Sequence, residues 1–145
     1  MTTKVRDDVY ARCAAYLGRP GLAGRRSVVI ETLRGGLPVA AVRRVAGALG
    51  LSLAELAPML GLSVRTLARR GRGTLDGASS DRLFRITRVL ARAAEALGDE
   101  ARAVAWLKSP NIALGGPAPL GLLDTDIGTE EVLATLLRIE FGVVS

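Results

Sequence analysis

Residues 51–72 have the sequence LSLAELAPMLGLSVRTLARRGR, and this stretch decides the fold predicted for the surrounding chain. Ser52 and Glu55 have the spacing of a capping box, which predicts that a helix begins here. Gly61 follows the apolar positions of that helix and can adopt the positive φ that a tight turn requires. Ser63 is then placed to cap a second helix. The stretch therefore predicts two short helices joined by a tight turn.

The side chains of these two helices divide into a buried face and a basic face. The inward positions are predicted to be Leu53, Leu56, Ala57, Leu60, Val64, Leu67 and Ala68. The outward positions of the second helix are predicted to be Arg65, Thr66, Arg69 and Arg70. This spacing is typical of a DNA-binding helix–turn–helix, although two short helices joined by glycine also occur in other all-helical proteins. Pro58 removes one backbone hydrogen bond, so a kink is expected in the first helix.

Charge is distributed unevenly along the 145-residue chain. Residues 1–92 contain 17 Lys and Arg against 6 Asp and Glu, a net charge of +11. Residues 93–145 contain 3 against 8, a net charge of −5. The basic part includes the helix–turn–helix, as a phosphate-binding surface requires, although arginines also solubilise helix faces. The acidic part is expected to avoid DNA and to have a separate role.

The residue types that most enzymes and metal sites use are scarce in this sequence. It contains no histidine, and its single cysteine, Cys13, cannot form a zinc site or an internal disulfide. No phosphate-binding glycine loop or dinucleotide motif is present. Asp124 and Asp126 form a near pair of carboxylates, but in a loop before a helix such residues more often cap or are solvated. We therefore expect no enzymatic activity, no cofactor and no metal.

The location of the protein is also constrained by composition. The N-terminus lacks the apolar segment of a signal peptide, and no run of about 18 apolar residues is present to span a membrane. The lone cysteine fits a reducing compartment. We expect a cytoplasmic protein that does not bind membranes.

Hydrophobic periodicity predicts further helices on both sides of the helix–turn–helix. The expected ranges are 7–17, 38–48, 81–97, 100–107 and a last helix after residue 129. The expected N-caps are Asp7 or Asp8, Ser27, Ser80, Asp99 and Thr129. Residues 28–34 could form either a helix or a short strand, because they begin with three β-branched residues.

Two features of the later helices have more than one interpretation. Along one side of the helix at 81–97 runs an arginine stripe, which is either a solvated face or a set of contacts to DNA phosphates. Its members are Arg82, Arg85, Arg88 and Arg92. Trp106 is expected to pack in the core between the two halves of the chain.

The C-terminal run from Trp106, WLKSPNIALGGPAPLGLLDTDIGTEEVLATLLRIEFGVVS, resembles the toxin-binding domain of Xre/MbcA/ParS-type antitoxins. The motifs that carry the resemblance are Trp106-Leu107, Asn111 to Gly116, Pro119 to Thr125, Gly128 and Arg138 to Val143. The motifs upstream that resemble the N-terminal half of the same family are residues 36–39, 65–70 and 80–83. Phe141 departs from the family pattern, in which histidine is frequent at this position.

The resemblance implies an all-α protein, with an Xre-like helix–turn–helix bundle followed by a small helical C-terminal toxin-binding domain. The corresponding domain ranges are 1–35 for an N-terminal helical segment, 36–98 for DNA binding and 99–145 for toxin binding. It further implies a type II antitoxin that covers the active site of a RES-domain toxin, a class similar to NAD-consuming enzymes. Such a protein also represses its own operon by binding operator DNA, and forms a homodimer or a higher hetero-oligomer with toxin. A helix–turn–helix repressor without a toxin partner is the alternative.

Candidate binding residues follow from the two halves of this interpretation. The residues expected to contact DNA, with Ser63 at the phosphate backbone, are Ser63, Arg65, Thr66, Arg69 and Arg70. The residues expected to contact the toxin are Asn111, Leu114, Gly115, Gly116, Asp124, Thr125, Arg138, Glu140 and Phe141.

Overall fold

The structure, a computed structural model, describes the backbone of residues 2–142 and the side chains of residues 9–142. Its α-helices are α1 (Thr2–Leu17), α2 (Arg26–Gly35), α3 (Val39–Leu49), α4 (Leu53–Leu56), α5 (Val64–Arg70), α6 (Gly77–Leu97), α7 (Glu100–Lys108) and α8 (Asp126–Glu140). Four short 3₁₀ turns lie at Pro20–Ala23, Ala57–Leu60, Ile112–Leu114 and Pro119–Leu122. Within the described residues there is no β-strand, so the all-α prediction is confirmed. The chain divides into two compact units, unit 1 up to Thr87 and unit 2 from Arg88 onward.

Unit 1 is built around a core of leucine side chains. Helix α1 packs against both the 3₁₀ turn at Pro20–Ala23 and α3, and α3 in turn packs against α4. The largest fully buried side chains of unit 1 are Leu17, Leu22, Leu37, Leu49, Leu56, Leu60, Leu83 and Ile86. Burial of one such side chain contributes about 1.5–3 kcal/mol relative to exposure. This core is the platform on which the helix–turn–helix lies.

The segment after α5 returns to the start of α3 and closes unit 1. Pro38 and Thr74 form an isolated antiparallel bridge, and the Leu75 N–H donates to the Leu37 carbonyl at 2.8 Å. The Leu37 N–H donates to the buried hydroxyl of Ser80, also at 2.8 Å. These bonds satisfy backbone groups that would otherwise be buried without partners.

Unit 2 is a smaller helical unit with its own core. Helix α7 packs against the 3₁₀ turn at Pro119–Leu122, and α8 packs against both C-terminal 3₁₀ turns. Its most deeply buried side chains include Leu90, Ala103, Leu107, Leu123, Val132 and Leu136. At the first turn of α8, a Cβ atom added to Gly128 would collide with the backbone carbonyl of Leu122. Glycine is therefore required for α8 to approach that turn.

Most helix positions agree with the sequence prediction, but several predicted caps are wrong. Ser80 lies inside α6, which begins at Gly77 because Asp76 accepts from the Ser79 N–H, and the Ser80 hydroxyl instead accepts from the Leu37 N–H. Thr129 lies inside α8, where its hydroxyl donates to the Thr125 carbonyl at 2.8 Å. Thr125 caps α8 instead by accepting from the Gly128 N–H.

The ends of the N-terminal helices also differ from the prediction. Helix α1 begins at Thr2, so neither Asp7 nor Asp8 is its N-cap, and their side chains lie outside the described residues. Ser27 is within α2, and the ambiguous segment at 28–34 is helical. The C-terminal Val143 of the sequence motif also lies outside the described residues.

Pro58 changes the first helix of the helix–turn–helix more than a kink would. Helix α4 ends at Leu56, and the chain continues as the 3₁₀ turn at Ala57–Leu60, with Pro58 near its start. The first N–H groups of a helical turn have no acceptor within the turn, so a proline at this position loses no hydrogen bond. The change of helix type therefore accommodates Pro58. Ala57 and Leu60 remain fully buried, as predicted.

Candidate functional site

Helix α5 is fixed at its start by the predicted cap and along its length by one buried leucine. The Ser63 hydroxyl accepts a hydrogen bond from the Thr66 N–H at 3.0 Å, and the two hydroxyl oxygens lie 2.9 Å apart. Leu67 is the residue of α5 that the core buries. The cap and the leucine together determine which side chains of α5 are exposed.

The turn before α5 is braced by two side chains from α6. Gly61 adopts φ of 73°, as the sequence predicted. The Leu60 carbonyl accepts hydrogen bonds from the buried Ser79 hydroxyl at 3.1 Å and from Arg82 Nη1 at 3.3 Å. Because Ser79 and Arg82 both belong to α6, these two hydrogen bonds hold the turn, and therefore the start of α5, against α6.

Arg65 and Arg69 are the exposed arginines among the predicted DNA-binding residues. Both are exposed, and their separation of four residues places them on the same face of α5, opposite Leu67. Two guanidinium groups one turn apart can bind guanine edges bidentately or neutralise phosphates. The assignment of these residues to DNA contact remains a prediction.

Arg70 is the predicted DNA-binding residue with an ionic partner inside unit 1. It is half-buried, and its Nη1 lies 3.7 Å from the Asp76 carboxylate. The Ser79 N–H donates to Asp76 at 2.7 Å. This hydrogen bond, aided by the charge of Arg70, holds the pKa of Asp76 below its usual range despite the opposing effect of desolvation. Asp76 therefore caps α6 as an ionised group, and its charge holds the Arg70 side chain at the end of α5 near the start of α6.

Two residues of α5 do not face inward as the sequence predicted. Val64 is 42% exposed, and Ala68 is also exposed. The reason is the rotation of this seven-residue helix, in which Leu67 alone reaches the core. The exposed surface of α5 therefore contains apolar as well as basic side chains.

The arginine stripe of α6 is largely engaged within the chain. All four arginines are half-buried rather than solvated. Arg82 bonds the Leu60 carbonyl, Arg85 lies 3.7 Å from Asp81, and Arg92 bonds Glu95 at 2.8 Å. These contacts indicate a structural role for most of the stripe.

In unit 2, the predicted Asn111–Gly116 loop forms a compact turn. The Asn111 side-chain oxygen accepts from the Ala113 N–H at 2.9 Å, and the Asn111 backbone carbonyl accepts from the Gly116 N–H, also at 2.9 Å. Gly115 and Gly116 have φ of 85° and 113°, which other residues rarely adopt. Leu114 is half-buried. The loop is therefore ordered by its own hydrogen bonds, with both glycines exposed.

Asp124 and Thr125 lie at the start of α8. Asp124 is exposed, whereas the Thr125 hydroxyl is occupied in capping the helix.

Trp106, expected in a core, is only half-buried.

The C-terminal end of α8 combines charged and apolar side chains. Arg138 is exposed, and the Glu140 carboxylate accepts a hydrogen bond from Arg92 Nη2 at 2.6 Å. Phe141, the residue that follows the helix, is 71% exposed. Glu140 is thus held in position by Arg92, and the ring of Phe141, which follows it in the chain, lies outside the core.

Sequence reasoning missed two exposed apolar residues in unit 2. Ile112 is 95% exposed in the 3₁₀ turn that packs against α8, and Ile127 is 74% exposed in the first turn of α8. Leu137 and Ile139, near the C-terminal end of α8, are 49% and 39% exposed. An isoleucine in a turn, flanked by polar or small residues, is the sequence signal that could have identified the first two.

Within residues 9–142, no group of three or more Cys, Asp or Glu side chains is arranged to hold a metal ion. None of the described helices is sufficiently long and apolar to cross a bilayer. The sites that stand out are therefore the two exposed surfaces.

The fold and these surfaces define a class of protein: an all-helical chain with a helix–turn–helix unit and a second helical unit that exposes apolar side chains. The family model for the antitoxin Xre-like helix-turn-helix domain matches residues 28–88. The model for the antitoxin Xre/MbcA/ParS C-terminal toxin-binding domain matches residues 92–142.

Two related proteins agree with these family matches. An "Antitoxin Xre" of Photorhabdus laumondii is 33% identical over 116 residues, covering 78% of each chain. An "Antitoxin Xre" of Yersinia enterocolitica is 30% identical over 126 residues, covering 85% of each chain. The chain belongs to the Xre antitoxin family, as its sequence motifs predicted.

Proposed function

We propose that this protein is the antitoxin of a type II toxin–antitoxin pair that acts in the cytoplasm. Unit 2 neutralises a RES-type, NAD-consuming toxin by covering its active site. The helix–turn–helix binds operator DNA and represses the operon that encodes both proteins. In domain terms, residues 36–98 bind DNA and residues 99–145 bind toxin, with residues 1–35 as an N-terminal helical segment.

The observation that carries the toxin-binding part is the exposure of large apolar side chains in unit 2. Five of the eight exposed large hydrophobic residues among those described belong to this smaller unit: Ile112, Ile127, Leu137, Ile139 and Phe141. Exposed aromatic and aliphatic groups cost solvation free energy and are typical anchors of protein interfaces. A bound protein that covers these side chains would remove this cost.

Charge supports the same assignment. Residues 88–145 carry 5 Lys and Arg against 8 Asp and Glu, a net charge of −3. A cleft that binds the phosphates of NAD is electropositive, so an acidic protein surface is complementary to it. Arg138 and Glu140, together with the loop at Asn111, are the polar groups that we assign to this contact.

The DNA-binding part is supported by the exposed arginines of α5 and by the net charge of +9 over residues 1–87. A two-fold dimer would present two copies of α5 to half-sites about 34 Å apart, one turn of the double helix. Association through such a dimer, or through a larger complex with toxin, is part of the proposal.

Co-expression with the product of the adjacent gene tests the toxin assignment. The proposal expects the two proteins to co-purify, and expects the neighbour alone to arrest growth and to deplete cellular NAD. Co-expression of this chain should restore both growth and NAD. Growth arrest with NAD unchanged would contradict the RES assignment while leaving the antitoxin role intact. An adjacent product that neither arrests growth nor binds this chain would favour the repressor without a toxin partner.

A further inference from the structure

The exposed surface of α5 combines two kinds of side chain. Arg65 and Arg69 lie one turn apart, and Val64 and Ala68 form a second pair with the same spacing beside them. From residue 64 to residue 72 the chain contains four arginines and no acidic residue. This surface fits an anionic partner that also offers a small apolar group.

Val64 stabilises unit 1 less than a fully buried valine would. Its 42% exposure forgoes part of the benefit of burial, and a β-branched residue is a poorer helix former than alanine or arginine. A single exposed valine is ordinary on a protein surface. What distinguishes Val64 is its place on α5, directly before Arg65.

We infer that Val64 is a specificity-determining residue that contacts the C5-methyl group of a thymine in the operator. The inference rests on the proposed operator binding. Thymine is the only one of the four standard DNA bases that presents a methyl group in the major groove, and apolar side chains recognise it there. Arg65 and Arg69 then bind a neighbouring guanine or the adjacent phosphates, while Ala68 is small enough to admit the pyrimidine edge.

Thymine-to-deoxyuridine substitution tests the contact without altering the protein. The operator is first located by footprinting the full-length chain on DNA upstream of its own gene. Each thymine of the protected half-site is then replaced by deoxyuridine, which lacks only the C5-methyl group. At one position per half-site, binding should weaken about four-fold, the effect of removing one buried methyl group.

The variant Val64→Ala completes a double-mutant cycle with the modified DNA. It should weaken binding to the natural operator several-fold and should lose the sensitivity to deoxyuridine at that one position. The slope of log K against log salt should stay unchanged, because no phosphate contact is removed. The matched control is Val28→Ala, since Val28 in α2 is also 42% exposed and belongs to the same unit. Val28→Ala should retain both the affinity and the deoxyuridine effect.

The outcomes separate this inference from the proposed function. A protected operator whose binding is insensitive to deoxyuridine at every thymine overturns the role of Val64 and leaves operator binding intact. The same holds if Val64→Ala keeps the wild-type sensitivity. If the chain protects no DNA upstream of its gene, both the inference and the DNA-binding part of the proposed function fail. Because the deoxyuridine series uses the wild-type chain, misfolding of a variant does not affect it.

Discussion

The two units expose different chemistry on otherwise similar helical scaffolds. Unit 1 exposes Arg65 and Arg69 on a helix fixed by a serine cap and a buried leucine. Unit 2 exposes Ile112, Ile127 and Phe141 in turns and at the two ends of α8. The difference implies two modes of association. Binding through unit 1 should weaken steeply with salt, whereas binding through unit 2 should depend mainly on buried apolar area.

The largest effect is expected from the double variant Arg65→Ala/Arg69→Ala. Loss of two guanidinium contacts should cost about 4 kcal/mol of operator affinity, roughly 1,000-fold. If both contact phosphates, the salt slope should also fall by about 2. Electrophoretic mobility shift at several salt concentrations measures both quantities. Arg25→Ala/Arg26→Ala removes the same charge from exposed positions elsewhere in unit 1 and should have a much smaller effect. Equal losses of operator affinity in the two double variants would mean that α5 is not the DNA-binding surface.

The independence of the two units is tested by Gly128→Ala. Its Cβ would overlap the Leu122 carbonyl, so α8 should detach and unit 2 should lose about 3 kcal/mol of stability. Toxin neutralisation should fail while operator binding persists. Gly121→Ala is the control, since nothing lies within 4 Å of its added Cβ. Loss of DNA binding in Gly128→Ala would show that the units do not function separately.

The apolar nature of the unit 2 surface is tested by Phe141→Ala. Removal of this exposed ring should weaken toxin binding by about 2 kcal/mol, as for an interface anchor. Calorimetry at low and high salt should give the same difference, because no charge is removed. Ile30→Ala, an exposed apolar truncation in unit 1, should leave toxin affinity unchanged. An unaltered affinity in Phe141→Ala would exclude the ring from the interface.

The smallest expected effect is on the stability of unit 1, and it depends on pH. Because the folded-state pKa of Asp76 is lowered, its stabilisation is fully present above the ordinary aspartate pKa and is lost as pH falls through the lowered value. Asp76→Ala should therefore reduce the free energy of unfolding by about 1 kcal/mol at neutral pH and by less in acid. Urea denaturation across this pH range measures the difference. Asp81 is also 3.7 Å from an arginine but lies inside α6 rather than at its N-cap, so Asp81→Ala should have a smaller effect. A pH-independent loss in Asp76→Ala would contradict the role of the ionised carboxylate.

The sequence was most informative where structure depends on residues close together in the chain. The capping box of Ser52 and Glu55, the positive φ of Gly61 and the cap at Ser63 were all predicted correctly, because each acts within about four residues. Prediction failed where a distant residue competes. Ser80 resembles an N-cap, yet its hydroxyl bonds a backbone group 43 residues earlier.

The candidate sites were less predictable than the fold for a related reason. A helix as short as α5 has too few residues for periodicity to define its inward face, so Val64 and Ala68 were misplaced. Ile112 and Ile127 were missed because isolated apolar residues carry no periodic signal. Glu140 was predicted as a contact residue, but no sequence pattern indicated its bond to Arg92, 48 positions earlier.

The brace on the Leu60 carbonyl limits how this motif can be transplanted. Its donors, Ser79 and Arg82, follow the turn by 19 and 22 residues, beyond the stretch that looks like a self-contained motif. A chimera that transfers only residues 51–72 into another protein would leave the turn without either donor. A portable helix–turn–helix module must extend at least from Leu37 to Arg82, since Ser80 in the same helix also binds the Leu37 backbone.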